Sequence, residues 1–353
     1  MAEALDRKRV QEFARKIFGF YTSGVLTLMV DLGQRTGLFE ALAKGPGTSA
    51  ELAARAGLNE RYVREWLGAM TTGGVVEYDP ATRGYTLPPE HAACLTGTSS
   101  RNLAAGSQVL PLLAKHVGAV ARCFREGGGV SYAEFRPDFT AYQDAAWRLL
   151  YDGLLIKSWL PLAAGVPDRL RAGMRVADVG CGTGHAVNLM AREYPASSFV
   201  GYDLSAEAIE RARTEGRAMV LGNARFEVLD ATTLPPEPKF DLITTFDSIH
   251  DQRDPAAALA RIAGALAPGG VYLMMEPRAS SNVEDNVGNP FAPYLYGISV
   301  LHCMTVSLAA GGTGLGTAWG EQLARRMLAE AGFASITVGE APGPQNNLYV
   351  CHS

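Results

Sequence analysis

The stretch Arg175-Val176-Ala177-Asp178-Val179-Gly180-Cys181-Gly182-Thr183-Gly184 constrains this chain more than any other. An apolar run ends in an acidic residue and three glycines at alternate positions, and a helical pattern starts directly after. The spacing predicts a strand entering a tight turn whose backbone comes close to a ligand, where a Cβ would obstruct the approach. Two further strand-like runs end the same way. Ser198-Phe199-Val200-Gly201-Tyr202 stops at Asp203, and Arg225-Phe226-Glu227-Val228-Leu229 stops at Asp230-Ala231. Acidic residues at the carboxyl ends of successive strands beside a glycine turn describe a nucleoside pocket at the rim of a parallel sheet.

The same alternation continues to the end of the chain. Strands are expected at 175–179, 198–202, 225–229, 240–245 and 271–275, with helices between them. Ser205 caps one helix; Asp254 caps another, with Pro255 at its first position, and Pro268-Gly269-Gly270 closes it. Two last strands, 334–339 and 347–351, are joined too tightly for a crossover and form a hairpin. The expected fold class is α/β: a Rossmann-like doubly wound sheet with an antiparallel C-terminal edge hairpin, preceded by a mostly helical domain.

With 353 residues, 47% of them hydrophobic, the chain has material for two domains, and its net charge of -4 carries no sign of a nucleic-acid partner. No continuous apolar run approaches the roughly 18 residues of a spanning segment, and residues 1–10 are charged and mixed, so a cytoplasmic protein without membrane contact is expected. Cys94, Cys123, Cys181, Cys303 and Cys351 are scattered, as reduced and mostly buried thiols would be. Neither CxxC nor HxxxH spacing occurs, and no metal is expected.

Residues 10–33 place Val10, Phe13, Ala14, Ile17, Phe18, Leu26, Met29 and Val30 at helical spacing, a wider apolar face than one small domain needs. It suits either core or a dimer interface. From 48 to 90 the pattern is helix, turn, helix, hairpin. Thr48 and Glu51 form a capping box, Gly57 ends the first helix, Asn59 caps the second, and Val63, Trp66, Leu67 and Met70 face inward. Strands at 75–78 and 84–87 complete a winged helix-turn-helix. Its four basic residues (Arg55, Arg61, Arg64, Arg83) face six acidic ones (Glu51, Glu60, Glu65, Glu77, Asp79, Glu90), so DNA recognition is not expected. The expected division is 1–98 for this dimerisation domain, 99–166 for a helical linker that roofs an acceptor pocket, and 167–353 for the sheet domain. Tyr132 and Trp159 in the linker are core or ligand contacts.

A dinucleotide site wants G-x-G-x-x-G, but here Gly180, Gly182 and Gly184 alternate and His185 stands where the third glycine would be. The pattern resembles motif I of the class I S-adenosylmethionine-dependent methyltransferases, over about residues 174–276. That resemblance implies S-adenosylmethionine as cofactor and assigns roles by position. Asp178 would hold the methionine amino group; Gly180, Cys181, Gly182 and Gly184 would line the methionyl and ribose portion. Asp203 would take both ribose hydroxyls, Leu204 would pack on the adenine, and Asp230 with the Ala231 amide would read its edge. Phe246 would lie on the methionyl side.

Phe246-Asp247-Ser248-Ile249-His250-Asp251 is expected at the mouth of the sheet. His250-Asp251 is similar to the catalytic pair of winged-helix O-methyltransferases, in which histidine removes the acceptor's proton. Asp247 or Glu276 would orient it; the sequence does not choose between them. A histidine that only caps the loop or binds the cofactor is the other reading. Residues 286–320 form an insertion with aromatic residues, Met and Cys between glycines, as a mobile lid over an apolar acceptor would have, and His302 there is a second acid/base or a core residue. The expected function is methyl transfer to a small, largely apolar acceptor, at a hydroxyl, by a homodimer. A ligand-sensing transcriptional regulator, or transfer to nitrogen, sulfur or carbon without a histidine base, are the alternatives.

Overall fold

A computed structural model describes residues 5–343 and 345–352. It divides into two compact units, Met1–Leu112 and Leu113–Ser353. The first opens with a 30-residue helix, α1 (Arg7–Thr36), which starts at the Asp6 cap and ends on Gly37 in the left-handed region. Then come α2 (Leu38–Ala43), α3 (Ser49–Ala56), α4 (Glu60–Thr72), the short hairpin β1 (Glu77–Asp79) and β2 (Gly84–Thr86), and α5 (Pro89–Leu95). The capping box is formed as expected: Thr48 accepts from the Glu51 amide, and the Thr48 amide donates to Glu51 Oε2 at 2.7 Å.

Val63, Trp66, Leu67 and Met70 are buried against Leu38, Phe39, Leu42 and Leu52. Trp66 also donates from Nε1 to the Met29 carbonyl at 2.8 Å, fixing α4 to α1. The hairpin is shorter than expected and begins at Glu77, because Val75 and Val76 donate back to the Met70 carbonyl instead of entering the ladder. Only the C-terminal part of α1 belongs to this core. Leu26, Met29 and Val30 pack on it, whereas Val10, Phe13, Phe18, Phe20, Tyr21 and Val25 are exposed.

The division between the units falls within α6 (Val109–Ala114). The second unit continues with α7 (Val117–Glu126), α8 (Tyr132–Phe135) and α9 (Asp138–Leu150). A π-helical segment, Tyr151–Trp159, prolongs α9, and α10 (Val166–Ala172) leads into the sheet domain. There β3 (Arg175–Val179), α11 (His185–Glu193), β4 (Ser198–Asp203), α12 (Ala206–Ala218), β5 (Ala224–Val228), β6 (Phe240–Phe246), α13 (Pro255–Ala265) and β7 (Leu266–Pro277) alternate. The chain ends in α14 (Val283–Asn286), α15 (Ala292–Ile298), α16 (Met304–Ala309), α17 (Gly320–Glu330), β8 (Ser335–Glu340) and β9 (Asn346–His352).

The seven strands run in the order β5-β4-β3-β6-β7-β9-β8. The first five are parallel, and the hairpin closes the edge as expected. Within it, β9 is the antiparallel strand, inserted between β7 and the rim strand β8. Alternate side chains feed two apolar layers, as the period of a strand requires. Val176, Leu242 and Leu273 meet Val187, Met190 and Ile209 on one face. Ala177, Ile243 and Met274 meet Leu259, Ile262 and Leu328 on the other.

The insertion is helical where the sequence suggested a glycine-hinged lid, and it is tied down. Gly316 N donates to the His250 carbonyl at 3.1 Å, Thr313 N to Arg253 O, and Ser307 Oγ to Gln252 O. With the π-helical turn Ser299–Cys303 between α15 and α16, residues 292–309 make one continuous helix. Its mean hydropathy of 1.2 over 18 residues passes the length and composition of a membrane span, which the run-by-run reading of the sequence had not anticipated. Ser299, His302, Thr305 and Ser307 on this helix are nevertheless buried within the second unit. The five cysteines are unpaired, with only Cys303 and Cys351 buried.

Leu242 is fully buried in the central strand. Leu242→Ala should destabilise the second unit by about 2–5 kcal/mol, the sum of lost transfer energy and an unfilled cavity. Urea titration followed by circular dichroism would measure this, and a loss under about 1 kcal/mol would contradict the layer assignment.

Candidate active site

The turn after β3 is folded back on β4: the Gly180 and Cys181 amides both donate to the Tyr202 carbonyl, at 2.8 and 3.0 Å. Gly180, Gly182 and Gly184 have φ of 77°, 54° and 73°, a region open to glycine at little cost. They differ in what a side chain would meet. A Cβ on Gly180 would lie 2.5 Å from Ser248 Cβ, and one on Gly184 2.5 Å from Ala212 and Phe226, whereas one on Gly182 would enter open space. The first and third glycines therefore serve packing, and the middle one leaves room for a ligand.

Asp203, at the end of β4, braces this turn. Its Oδ2 accepts from the Gly182 amide and its Oδ1 from the Ser205 amide, both at 2.8 Å. A carboxylate has about four lone-pair sites, so each oxygen keeps one for a ligand hydroxyl. Burial pushes the Asp203 pKa up, against the pull of those two amides and of Arg136. Asp230 ends the next strand and caps the turn Ala231–Thr233, accepting from the Thr232 amide at 2.9 Å and its hydroxyl at 2.7 Å.

A cavity of about 420 Å³ opens on this rim, within the usual 300–1,000 Å³ or so of small-molecule sites. Nine residues expected from the sequence line it: Gly180, Cys181, Gly182, Asp203, Leu204, Asp230, Ala231, Phe246 and Asp247. Asp178, Gly184 and His250 are not on its wall. Asp178 is buried behind the turn, where Thr244 Oγ1 donates to it at 2.7 Å, and burial pushes its pKa up to about 7.

His250 sits in the loop after β6, buried, with Nδ1 2.6 Å from Glu276 Oε2. Glu276 is the acidic partner that the sequence did not single out. Its Oε1 accepts from the Ile249 amide at 2.9 Å, and Oε2 also accepts from Trp319 Nε1 at 3.2 Å. Burial disfavours the imidazolium, but Glu276, with Cys303, outweighs it and raises the His250 pKa well above its ordinary value. Asp247, in the left-handed region at φ 53°, accepts from Asn346 Nδ2 at 2.7 Å. Burial pushes Asp247 up to about 7 and Asp251, which also faces the cavity, up to about 6. Asp247, His250 and Glu276 offer ligand-type atoms within 4.8 Å of one another. The short His250–Glu276 contact already commits two of these groups to each other.

Residues of the 99–166 segment, which the sequence expects to roof a pocket, complete the wall; the pattern does not single out Arg136 or Asp144 among them. Arg136 lies just past α8, Asp144 and Trp147 on α9, and Tyr151 at the start of the π-helical segment. Asp144 Oδ1 accepts from Thr183 Oγ1 at 2.7 Å, tying α9 to the glycine turn. Arg148 bridges Asp144, Glu215 and His185, and His185 Nε2 is 3.0 Å from Asp152. Burial raises the Glu215 carboxyl, yet His185 and Arg148 bring it down to about 2. His185, which breaks the dinucleotide pattern in sequence, is thus the node that joins α9, α11 and α12. Periodicity alone could not find such residues, because they face one another only after the chain has doubled back.

In the first unit, three of the four basic residues of the winged helix are engaged within the protein. Arg55 donates to the Ala41, Gly45 and Pro46 carbonyls, Arg61 pairs with Glu65 at 2.5 Å, and Arg64 with Glu60 at 3.5 Å. Phosphate backbones are bound by uncompensated cations, which these are not.

Comparison with known proteins agrees with this geometry. Residues 24–97 match the Rv2258c-like winged HTH domain, and residues 170–332 match a methyltransferase domain. A trans-aconitate 2-methyltransferase of Methylobacterium nodulans is 34% identical over 134 residues, 38% of this chain and 49% of that protein. A fatty-acid O-methyltransferase of Mycolicibacterium smegmatis is 30% identical over 114 residues, 32% of this chain and 40% of that protein. The chain thus spans about half or less of the length of these curated relatives. Solved structures match over nearly the whole chain. A putative O-methyltransferase from Nostoc punctiforme superposes with a TM-score of 0.74 at 18% identity, covering 96% of this chain and 98% of that one. Human N-acetylserotonin methyltransferase, solved with S-adenosylmethionine, gives 0.69 at 17% identity, covering 100% and 99%. At such identities these likenesses show the fold. Glycine turn, strand-end acids, strand order and both domain matches agree: residues 170–332 form a methyltransferase domain of the class I fold, and residues 24–97 form an Rv2258c-like winged helix-turn-helix domain in front of it.

Proposed function

We propose that this protein transfers a methyl group from S-adenosylmethionine to a hydroxyl of a small, largely apolar acceptor, with His250 as the general base. The observation that carries this reading is a single cavity bordered by the Gly182–Asp203 turn and by the loop that holds His250. The residues present suit the cofactor. Gly182 leaves open space, Asp203 keeps lone pairs for the ribose hydroxyls, and Leu204, Asp230 and Ala231 form the adenine side. Phe246 and Tyr151, 5.5 Å apart and edge to face, flank the methionyl side. When bound, S-adenosylmethionine supplies an electrophilic methyl group on a sulfonium.

The chain's own part is alignment and proton removal. Holding the acceptor oxygen in line with the transferred group contributes much of the acceleration. With Nδ1–H donated to Glu276, the neutral imidazole, set just behind the wall that Asp247 and Asp251 form, has Nε2 left as the acceptor for the hydroxyl proton. Glu276 then stabilises the imidazolium that forms, and the proton leaves to solvent. The same carboxylate makes the base harder to deprotonate at rest, so turnover should require the alkaline side of neutrality.

The exposed apolar face of α1 suits a second copy of this chain, in keeping with the dimerisation role expected of the N-terminal domain. Phe13 and Phe18, 62% and 69% exposed, are too large and apolar to face water without cost. Phe13→Glu combined with Phe18→Glu should convert a dimer to a monomer in light-scattering chromatography. A wild-type monomer at micromolar concentration would remove the proposal.

Asp203→Ala should weaken cofactor binding by about 1.5–3 kcal/mol, through loss of charge-assisted hydrogen bonds. Calorimetric titration with S-adenosylhomocysteine checks this, and unchanged affinity would sink the cofactor assignment. His250→Ala should keep that affinity and slow methyl transfer about 100-fold or more. The pH profile carries the sign. Because Glu276 raises the His250 pKa, the wild-type rate should climb with pH through an inflection well above about 6.5. Glu276→Gln removes the raising charge, so its inflection should move to lower pH while the plateau falls. Coincident inflections in the two proteins would show that His250 is not the titrating base.

A further inference from the structure

The methionyl end of the cavity needs a carboxylate that the glycine motif does not supply. The resemblance gives the cofactor's ammonium group to Asp178, but that side chain is only 2% exposed and is not among the residues that line the cavity. It is engaged by Thr244 Oγ1 at 2.7 Å, and burial pushes its pKa up to about 7. Asp247 does reach the wall, yet it accepts from Asn346 Nδ2 at 2.7 Å, and burial pushes it up to about 7 as well. A desolvated ammonium group needs a charged carboxylate beside it.

Asp144 meets that need. It lies on α9, lines the cavity, and keeps a quarter of its side chain exposed. Two donors fix its direction, both at Oδ1: Thr183 Oγ1 of the glycine turn at 2.7 Å and Arg148 Nη2 at 2.8 Å. Oδ2 takes only Arg148 Nε, at a long 3.4 Å, so most of its accepting capacity is open. Arg148 does not cancel the charge, because it is shared. Its Nη1 donates to Glu215 Oε1, and, against burial, His185 and Arg148 bring Glu215 down to about 2. One guanidinium thus serves two carboxylates. Trp147, one turn along α9, and Tyr151 also line the cavity, with ring centroids 5.6 Å apart. Aromatic faces attract a cation within about 6 Å.

We propose that Asp144 receives the ammonium group of the cofactor's methionyl chain, in the place that the resemblance gives to Asp178. This rests on the cofactor reading given above and adds to it the residue that recognises the charged end. Thr183 and Arg148 act as positioning residues, holding the carboxylate so that Oδ2 stays free. The same side chain ties α9 to the glycine turn, so roof and turn take hold of the ligand from two sides. A ligand with the adenosine half alone leaves Oδ2 without its partner.

The test uses the full chain and two nucleosides titrated by calorimetry. Methylthioadenosine carries neither ammonium nor carboxylate, and decarboxylated S-adenosylhomocysteine ends in a primary ammonium group. Wild type should bind the amine at least about tenfold more tightly, the scale of one charge-assisted hydrogen bond. Asp144→Asn and Asp144→Ser should bind both nucleosides alike, and methylthioadenosine as wild type does, whereas Asp178→Asn should keep the preference. Four results would overturn the inference: no preference in wild type, a preference retained in both Asp144 variants, its loss in Asp178→Asn with methylthioadenosine still bound, or loss of methylthioadenosine by both Asp144 variants. The last would make Asp144 a structural brace. If wild type bound neither nucleoside nor S-adenosylhomocysteine, the cofactor reading beneath would fall, whereas nucleoside binding without an ammonium preference strikes this inference alone.

Discussion

One buried carboxylate organises the end of the second unit that holds His250. Glu276 is fully enclosed at the end of β7 and takes three donors, the Ile249 amide, His250 Nδ1 and Trp319 Nε1. A buried ionised carboxylate without partners would be prohibitively costly, so those three groups must come to it. Two of them come from the loop after β6 and the third from the segment that leads into α17. The carboxylate therefore pins the loop to the sheet and closes the insertion over it. The Gly316–His250 and Thr313–Arg253 backbone bonds follow the same seam.

At the other end of the cavity the roles are reversed. Asp203 is held by two backbone amides, and it is the backbone turn whose shape depends on the side chain. Gly180 and Gly184 allow the turn to nest against Ser248, Ala212 and Phe226, so that only Gly182 faces open space. Ser248 meets Gly180 and donates to the Val179 carbonyl, while its neighbours reach Glu276. The glycine turn and the loop that holds His250 are one packed unit, which explains how a site made from separate strand ends can hold its geometry.

Local signals made most of this fold legible. Short apolar runs in the strands, the caps at Thr48, Asn59, Ser205 and Asp254, and the glycine turn each act within a few residues, and each was found where expected. The strand-end acids could be assigned because the parallel sheet collects its strand ends at one rim. What escaped the sequence depends on long-range juxtaposition. Glu276 lies 26 residues from His250, and only the β6–β7 pairing brings them together. Asp144, Arg148 and Tyr151 look like any amphipathic helix until α9 is laid beside the glycine turn. The insertion was misjudged for a similar reason: its glycines suggested hinges, but helical segments and backbone bonds to residues 250–253 hold it.

The distribution of charge around the cavity bears on what it can bind. Asp144, Asp203, Asp230, Asp247 and Asp251 line it, against Arg136, Arg253 and His185. Burial raises Asp203, Asp247 and Asp251, with Asp178 raised behind the wall, so the empty cavity opposes full ionisation of its own acids. A cationic ligand reverses that balance: an opposite charge nearby favours the ionised carboxylates and lowers their pKa values. A sulfonium that also carries an ammonium group matches this need better than an anionic dinucleotide would. The acids of the empty site thus favour a ligand of positive charge, the type that the proposed S-adenosylmethionine would supply.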